Sequence, residues 1–182
     1  MVYNPNTLKL NVPSKIVEYK YFIEHCCDFI LDLENFGNDF NRVAKFKLVI
    51  MELLTNAIKH SETESFLEIN IMDRSVIVKK IDSGRKFNCK NIETNQDLQI
   101  PIKDFTTEFI INARLGNNYE LPILIKGENH IEFLEPENLN HDSFFNIPEN
   151  FGLLIIKQCS DNFSYYYDNK KNVNVFEVIF NL

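Results

Sequence analysis

The stretch MELLTNAIKHS, residues 51–61, ends the longest helix that the sequence predicts. From about residue 40 to His60, apolar residues recur at three- and four-residue steps, which is typical of a helix with one face in a core. The members of this stripe are Val43, Phe46, Ile50, Leu53, Leu54 and Ala57. At about 100° per residue, Glu52 and Asn56 lie on one side, with Lys59 beside Glu52 and His60 beside Asn56. The polar set therefore borders the apolar stripe instead of opposing it.

The patterns on either side of this helix predict an α+β fold. Residues 7–12 predict a short strand, and a first helix follows between Ser14 and Gly37. After the second helix, SFLEINI (65–71) and VIVKKID (76–82) predict a β-hairpin, and residues 163–167 and 173–180 predict another. A helix over 151–161 precedes that terminal hairpin. This order favours a two-layer sandwich, in which helices cover one face of a mixed, mostly antiparallel sheet.

The segment from about residue 85 to 149 interrupts this pattern inside what is predicted to be a single domain of 182 residues. A helical patch around 104–115 and two apolar runs, LPILI (121–125) and HIEFL (130–134), are separated by Asn, Pro and Gly. The segment is long for one loop. It predicts either structure of its own or a mobile flap.

Composition excludes several classes of function. The net charge of −7 and the absence of a Lys/Arg cluster disfavour a nucleic-acid partner, because such a partner needs a basic face. No apolar run approaches the roughly 20 residues that span a bilayer, and no secretory signal is visible. The four cysteines have no zinc-site spacing with the histidines. These features predict a cytoplasmic protein with buried, reduced thiols and no membrane partner.

The polar residues of the long helix suit a site that binds a metal and a phosphate. Glu52 could take a proton from an attacking hydroxyl, Asn56 offers a carbonyl oxygen to Mg²⁺, and Lys59 offers charge to phosphate. The alternative is that all three form the solvated flank of an amphipathic helix. For the helix alone, that alternative is favoured.

Two glycine-containing turns extend this set, and each also has a structural alternative. Asp82, at a strand end, could accept a hydrogen bond from an exocyclic amine, while Gly84 lets a ligand approach the backbone. The alternative is a plain turn after a hairpin. Gly152 precedes helical N–H groups that could hold phosphate oxygens. The alternative is an N-cap or a close-packing glycine.

Taken in chain order, these motifs resemble those of the GHKL ATP-binding superfamily, the group of gyrase, Hsp90, histidine kinases and MutL. ELLTNAIKHS resembles its asparagine box, DSGRKF (82–87) its first glycine box, and NFGLLIIKQCSD (150–161) its second. The resemblance covers about residues 7–87 and 150–182. A compact domain with a helix pair before the asparagine box is most similar to the anti-sigma factor serine kinases, although NAIKHS is also close to histidine kinases.

The resemblance implies an Mg-ATP site between the helices, beneath a flexible lid, and it assigns a role to each matching residue. Glu52 would be the general base, and Asn56 the Mg²⁺ ligand that also orients phosphate. The residues implied to contact the nucleotide are Lys59 and His60 near the phosphates, Asp82 at the adenine amine, Gly84 in the base pocket, and Gly152 with Leu153 at the start of the helix under the phosphates.

Departures from the family pattern leave two main functions open. Lys86 stands where a second glycine is common, Asn150 stands where a leading glycine is expected, and the chain has only five glycines. The first function is an ATP-binding regulator that phosphorylates a serine on a protein partner of the sigma-factor or anti-sigma-antagonist type and that can form a homodimer. The second is a degenerate, non-catalytic interaction module with weak or no nucleotide binding. A scaffold without any ligand is a third reading.

Overall fold

The computed structural model describes residues 6–60, 63–115, 119–136 and 151–182. The helices are α1 (Tyr19–Leu31), α2 (Glu34–Gly37), α3 (Phe40–His60) and α4 (Gly152–Cys159), and a 3-10 turn, Ile16–Glu18, precedes α1. The strands are β1 (Thr7–Asn11), β2 (Ser65–Met72), β3 (Ser75–Asp82), β4 (Asn88–Asn91), β5 (Asp97–Gln99), β6 (Phe109–Leu115), β7 (Tyr119–Gly127), β8 (His130–Phe133), β9 (Asn162–Asp168) and β10 (Val173–Asn181). The fold is therefore α+β, as the sequence predicts.

The strands form one sheet in the order β1-β2-β3-β10-β9-β8-β7-β6-β4-β5. Every pairing among the described strands is antiparallel, so the mixed character predicted for the sheet is not found there. Both predicted hairpins are confirmed, as β2–β3 and β9–β10. The predicted helix over 40–60 is confirmed as α3. Asp39 caps it by accepting hydrogen bonds from the backbone N–H groups of Asn41 and Arg42.

The helices cover one face of the first half of the sheet. The Phe46 ring of α3 lies 5.6 Å from that of Phe180 on β10, between ring centroids, and both rings are buried. Alternate residues of a strand point to opposite faces. The face away from α3 accordingly carries charged pairs, such as the Lys79 ammonium 2.9 Å from the Glu177 carboxylate. On β3, Val76 and Val78 of the α3 face are buried while their neighbours Ile77 and Lys79 are half-buried, so the register of the strand is well determined.

The chain between β3 and β6 covers the same face further along the sheet. The Phe87 ring lies 5.2 Å from that of Tyr165 and 5.8 Å from that of Phe133, between centroids. Ile100 is fully buried, and its N–H group donates to the Phe87 carbonyl over 3.0 Å. The prediction that helices cover one face is therefore correct for one half of the sheet. Aromatic side chains from this connecting segment cover part of the other half.

The helix predicted around 104–115 is wrong, because residues 109–115 form strand β6. Ile111 and Ala113 are buried while Ile110 and Asn112 are exposed, which is the alternation of a strand. The apolar residues of this patch also fit three- and four-residue steps, so periodicity alone favoured the wrong element. LPILI and HIEFL lie in β7 and in β8 with the residue after it, and most of the described part of 85–149 continues the sheet as a β-meander.

No helix in the described ranges combines the length and apolarity needed to cross a bilayer. Cys26 and Cys89 are buried free thiols, and burial raises the pKa of each to about 12. Both therefore stay protonated and behave as small apolar side chains. Cys27 and Cys159 are free and half-buried, so the predicted burial of the thiols is found in full only for Cys26 and Cys89.

Candidate functional site

Helices α3 and α4 bring three of the predicted site residues into one cluster. A methyl group added at Gly152 would lie 2.6 Å from Oε2 of Glu52, and 3.5 and 3.6 Å from Oδ1 and Nδ2 of Asn56. A side chain at this position would require the Glu52 carboxylate to move, so Gly152 serves close packing here. The N-terminus of α4 thereby faces a carboxylate and an amide, a combination that the helix dipole favours.

The Glu52 carboxyl is half-buried beside this helix end. Burial raises its pKa above the ordinary value, and the charge of Lys59 opposes that rise. A carboxyl with a raised pKa suits general acid–base chemistry, because it exchanges protons closer to neutral pH. Glu52 and Asn56 also offer hard oxygen atoms of the kind that Mg²⁺ prefers. The cluster can therefore fit a metal ion, although no group of three or more His, Cys, Asp or Glu suited to a metal occurs in the described residues.

We expect Glu52→Gln to stabilise the fold at neutral pH. The folded state binds the Glu52 proton more tightly than the unfolded chain does, because the pKa is raised. The stability linked to this group is thus complete below the unfolded pKa of about 4.3 and is lost as pH rises through the higher folded pKa. Urea unfolding at pH 7 and pH 4 measures the effect, and the gain of Glu52→Gln should disappear at pH 4. A stability loss at pH 7 would contradict this account.

The contact at Gly152 makes a second prediction. Gly152→Ala should be less favourable for stability in the wild type than in a Glu52→Ala background, because in the wild type the new methyl displaces the Glu52 carboxylate. We expect a coupling free energy of about 0.5–3 kcal/mol in a double-mutant cycle from thermal unfolding. Gly127→Ala is the matched control, since nothing lies within 4 Å of an added methyl there. Equal coupling for both glycines would refute the contact.

The Asp82 carboxylate lies in a second cluster, which is closed by the protein's own donors. Its side chain is 4% exposed, and Oδ2 accepts from the Lys80 ammonium over 2.6 Å. Oδ1 accepts from the Gly84 N–H over 2.8 Å and from Nδ2 of Asn174 over 3.0 Å. The Lys80 ammonium also lies 5.4 Å from the centroid of the Phe176 ring, within cation–π range. Both carboxylate oxygens are thus engaged inside the fold.

Asn174 and Tyr165 extend this cluster to the turn that follows β3. The Asn174 amide also donates to the backbone carbonyls of Gly84 and Arg85, and its oxygen accepts from the Tyr165 hydroxyl over 2.7 Å. Burial raises the pKa of Tyr165 to about 12, so the phenol stays protonated and keeps this donor. The Phe87 N–H in turn donates to the Tyr165 oxygen. The turn predicted to approach a nucleotide is therefore fixed by side chains of β9 and β10.

The two clusters occupy the same end of the sheet. Ser65 pairs with Asp82 in the β2–β3 register, and α3 ends at His60, only five residues before Ser65. The described contacts bring Glu52, Asn56 and Gly152 together in one cluster, and Asp82 with Gly84 in the other. A shared end is what the family resemblance implies for a nucleotide site. The Asp82 carboxylate, which the resemblance assigns to the adenine amine, already accepts from Lys80, Gly84 and Asn174.

The remaining predicted site residues contribute less to these clusters. Lys59 is exposed, and Leu153 is half-buried against the core. The His60 side chain lies outside the described residues. Lys80, Asn174 and Tyr165 were not predicted. Lys80 could have been identified from the sequence, because it shares a strand face with Val76 and Val78, where a lysine needs a buried partner.

Comparison with known proteins adds no relative. Neither the models of protein families nor the curated protein sequences contain a match to this chain. The GHKL resemblance therefore depends on the three sequence motifs and on the order of the elements around them.

Proposed function

We propose that this protein is a non-catalytic interaction module on a GHKL-like scaffold, which binds a protein partner without using ATP. One observation carries the proposal, namely the ion pair between Lys80 and Asp82. The resemblance assigns Asp82 to the exocyclic amine of adenine. In this chain the Lys80 ammonium, itself a nitrogen donor, holds the same carboxylate from within the sheet.

Displacing Lys80 by adenine would be costly. Its side chain is 4% exposed, so a nucleotide that took the Asp82 carboxylate would break an ion pair that is buried inside the fold. Removing one partner of a buried ion pair costs about 3–5 kcal/mol. A cost of that size would weaken nucleotide binding by a factor of about 10² to 10⁴.

The connection after β3 supports the same proposal. The resemblance implies a glycine-rich lid there, whereas residues 88–115 and 119–133 contain the strands β4 to β8. Phe87 places its ring against Tyr165 and Phe133, on the sheet face beside the Asp82 cluster. Aromatic side chains thus occupy space next to the residues that a purine would need. These features favour a scaffold whose base pocket is filled by the protein itself.

Calorimetric titration with Mg-ATP and Mg-ADP tests this proposal. We expect no saturable binding below a Kd of about 1 mM, because the adenine contact is taken. Asn56→Ala, which removes the implied Mg²⁺ ligand, should give the same trace as wild type, and so should Asn112→Ala, an exposed asparagine of β6. Micromolar binding by the wild type that is lost in Asn56→Ala and kept in Asn112→Ala would overturn the proposal.

A second candidate is the Mg-ATP-binding regulator that phosphorylates a serine on a sigma-factor or anti-sigma-antagonist type of partner. The cluster of Glu52, Asn56 and Gly152, together with the raised pKa of Glu52, favours it. It predicts ATP hydrolysis or γ-phosphate transfer that vanishes in Glu52→Ala. On either proposal we expect a cytoplasmic protein that acts through a protein partner, and self-association as a homodimer is an expectation of the second.

A further inference from the structure

Helix α3 carries a second apolar stripe, on the side that faces away from the sheet. Leu48, Met51 and Ile58 are 44%, 41% and 44% exposed, and Ala44 and Thr55 on the same side are half-buried. These five residues, which we call the outer seam, follow one another at steps of four, three, four and three. A helix that is apolar on two opposite faces is typical of one that is covered on both.

The spacing of the outer seam indicates what kind of element it fits. Alternating steps of three and four residues are the a and d positions of a heptad, which form the contact line between two packed helices. The polar group of the seam is already satisfied, since the Thr55 hydroxyl donates to the Met51 carbonyl over 2.8 Å. The seam spans about 21 Å at 1.5 Å per residue, which matches a partner helix of about four turns.

The charges beside the outer seam indicate the chemistry of that partner. Lys45, Lys47 and Lys59 are exposed along its edges, whereas Glu52 is the one acidic residue of α3. In the described part of the chain, none of the three lysines forms an ion pair. The lysine-rich edges of the seam contrast with the net charge of −7 for the whole chain. Acidic side chains beside the seam would therefore be attracted, and basic ones repelled.

We propose that the outer seam of α3 docks an amphipathic helix of a partner protein, with acidic residues flanking the apolar contact line of that helix. The inference rests on the proposed interaction function and names the surface that performs it. A second copy of this chain is disfavoured as the occupant, because two lysine-rich edges would face each other. In an antiparallel pair, Lys45 of one copy would lie near Lys59 of the other.

Two synthetic peptides test the proposal against the full chain. Both are four-turn heptad helices with Leu at a and d, and they differ only in having Glu or Lys at the flanking e and g positions. Fluorescence anisotropy should give a micromolar Kd for the Glu peptide and a Kd at least about tenfold weaker for the Lys peptide. Leu48→Gln/Met51→Gln should weaken binding of the Glu peptide by at least about tenfold. Ile110→Gln, which changes an exposed apolar residue of β6, should leave it unchanged.

Reversing the charge of two lysines beside the seam provides a second test. Lys45→Glu/Lys47→Glu should reverse the preference, so that the Lys peptide binds more tightly than the Glu peptide. Equal binding of both peptides, no binding of either at about 1 mM, or self-association of the wild type that the seam variant abolishes would each overturn the proposal. The Mg-ATP titration on the same preparation distinguishes failure of the docking proposal from failure of the proposed function. The seam variants leave the Asp82 cluster intact, so the two tests are independent.

Discussion

Replacing Lys80 with methionine is expected to lower the free energy of unfolding by about 3–5 kcal/mol. The variant removes the ammonium that lies 2.6 Å from Oδ2 of Asp82 and leaves that carboxylate buried with neutral donors only. For a domain of this size, the loss corresponds to a fall in Tm of roughly 6–20 °C. Urea and thermal unfolding monitored by circular dichroism measure it.

Lys79 gives this experiment a matched control on the adjacent position. Its ammonium lies 2.9 Å from the Glu177 carboxylate, but on the other face of the sheet, where the lysine side chain is 26% exposed. A partly exposed ion pair contributes about 0–1 kcal/mol, so Lys79→Met should be close to wild type. If Lys80→Met lost no more stability than Lys79→Met, the buried ion pair would not have the strength that the proposed function requires.

Replacing Phe46 with alanine is the second change with a large expected effect. The Phe46 ring is fully buried, and its centroid lies 5.9 Å from that of Phe36 and 5.6 Å from that of Phe180. Deleting it leaves a cavity between α2, α3 and β10, at a cost of about 3–5 kcal/mol. The same unfolding measurements report it. The result tests whether α3 is docked on the sheet as described.

Phe40 on the same helix is the control for Phe46. Its side chain is 84% exposed, so Phe40→Ala should change the free energy of unfolding by no more than about 0.5 kcal/mol. Phe46→Ala and Phe40→Ala remove the same atoms from one helix, and they differ only in burial. A similar cost for both variants would mean that α3 does not cover the sheet with the face that carries Phe46.

The elements that the sequence predicts well are those with one dominant periodicity. In α3, Phe46, Leu53 and Ala57 recur on one face and are all buried in the fold. In β2, the alternation of Leu67 and Ile69 with Glu68 and Asn70 predicts a strand that is covered on one face, and Leu67 and Ile69 are buried as expected. The patch at 104–115 has no single dominant periodicity. Its residues fit both periods, and only pairing with β7, a long-range contact, decides in favour of a strand.

In the candidate site too, local spacing predicts one part and long-range contacts determine the other. The local spacing of Glu52 and Asn56 places both on one side of α3, and the structure adds Gly152 to them. The partners of Asp82 come from elsewhere in the chain, since Asn174 is 92 residues away and Tyr165 lies on a third strand. Sequence spacing carries no information on such contacts. The sequence therefore singles out Asp82 but does not reveal which donors bind its carboxylate.

The two clusters give this fold a mixed relation to the family that it resembles. Glu52, Asn56 and Gly152 lie together, as the resemblance implies for a phosphate site, whereas Asp82, which the resemblance assigns to the base, is held by donors of the protein itself. On the proposed function, the chain keeps the helical layer of the family and does not use the cofactor. On the same proposal, the outer seam of α3 is the surface that binds the partner.

The most direct measurement of the central claim is a ¹⁵N–¹H correlation spectrum of the protein titrated with a magnesium complex of a non-hydrolysable ATP analogue. Gly84 is one of only five glycines, and its N–H donates to Oδ1 of Asp82, so its amide signal reports on that carboxylate. We predict that the Gly84 signal and the side-chain amide signal of Asn174 stay in place up to millimolar analogue. Saturable shifts of both signals, absent in Asn56→Ala, would mean that a nucleotide reaches Asp82, and the account would be wrong.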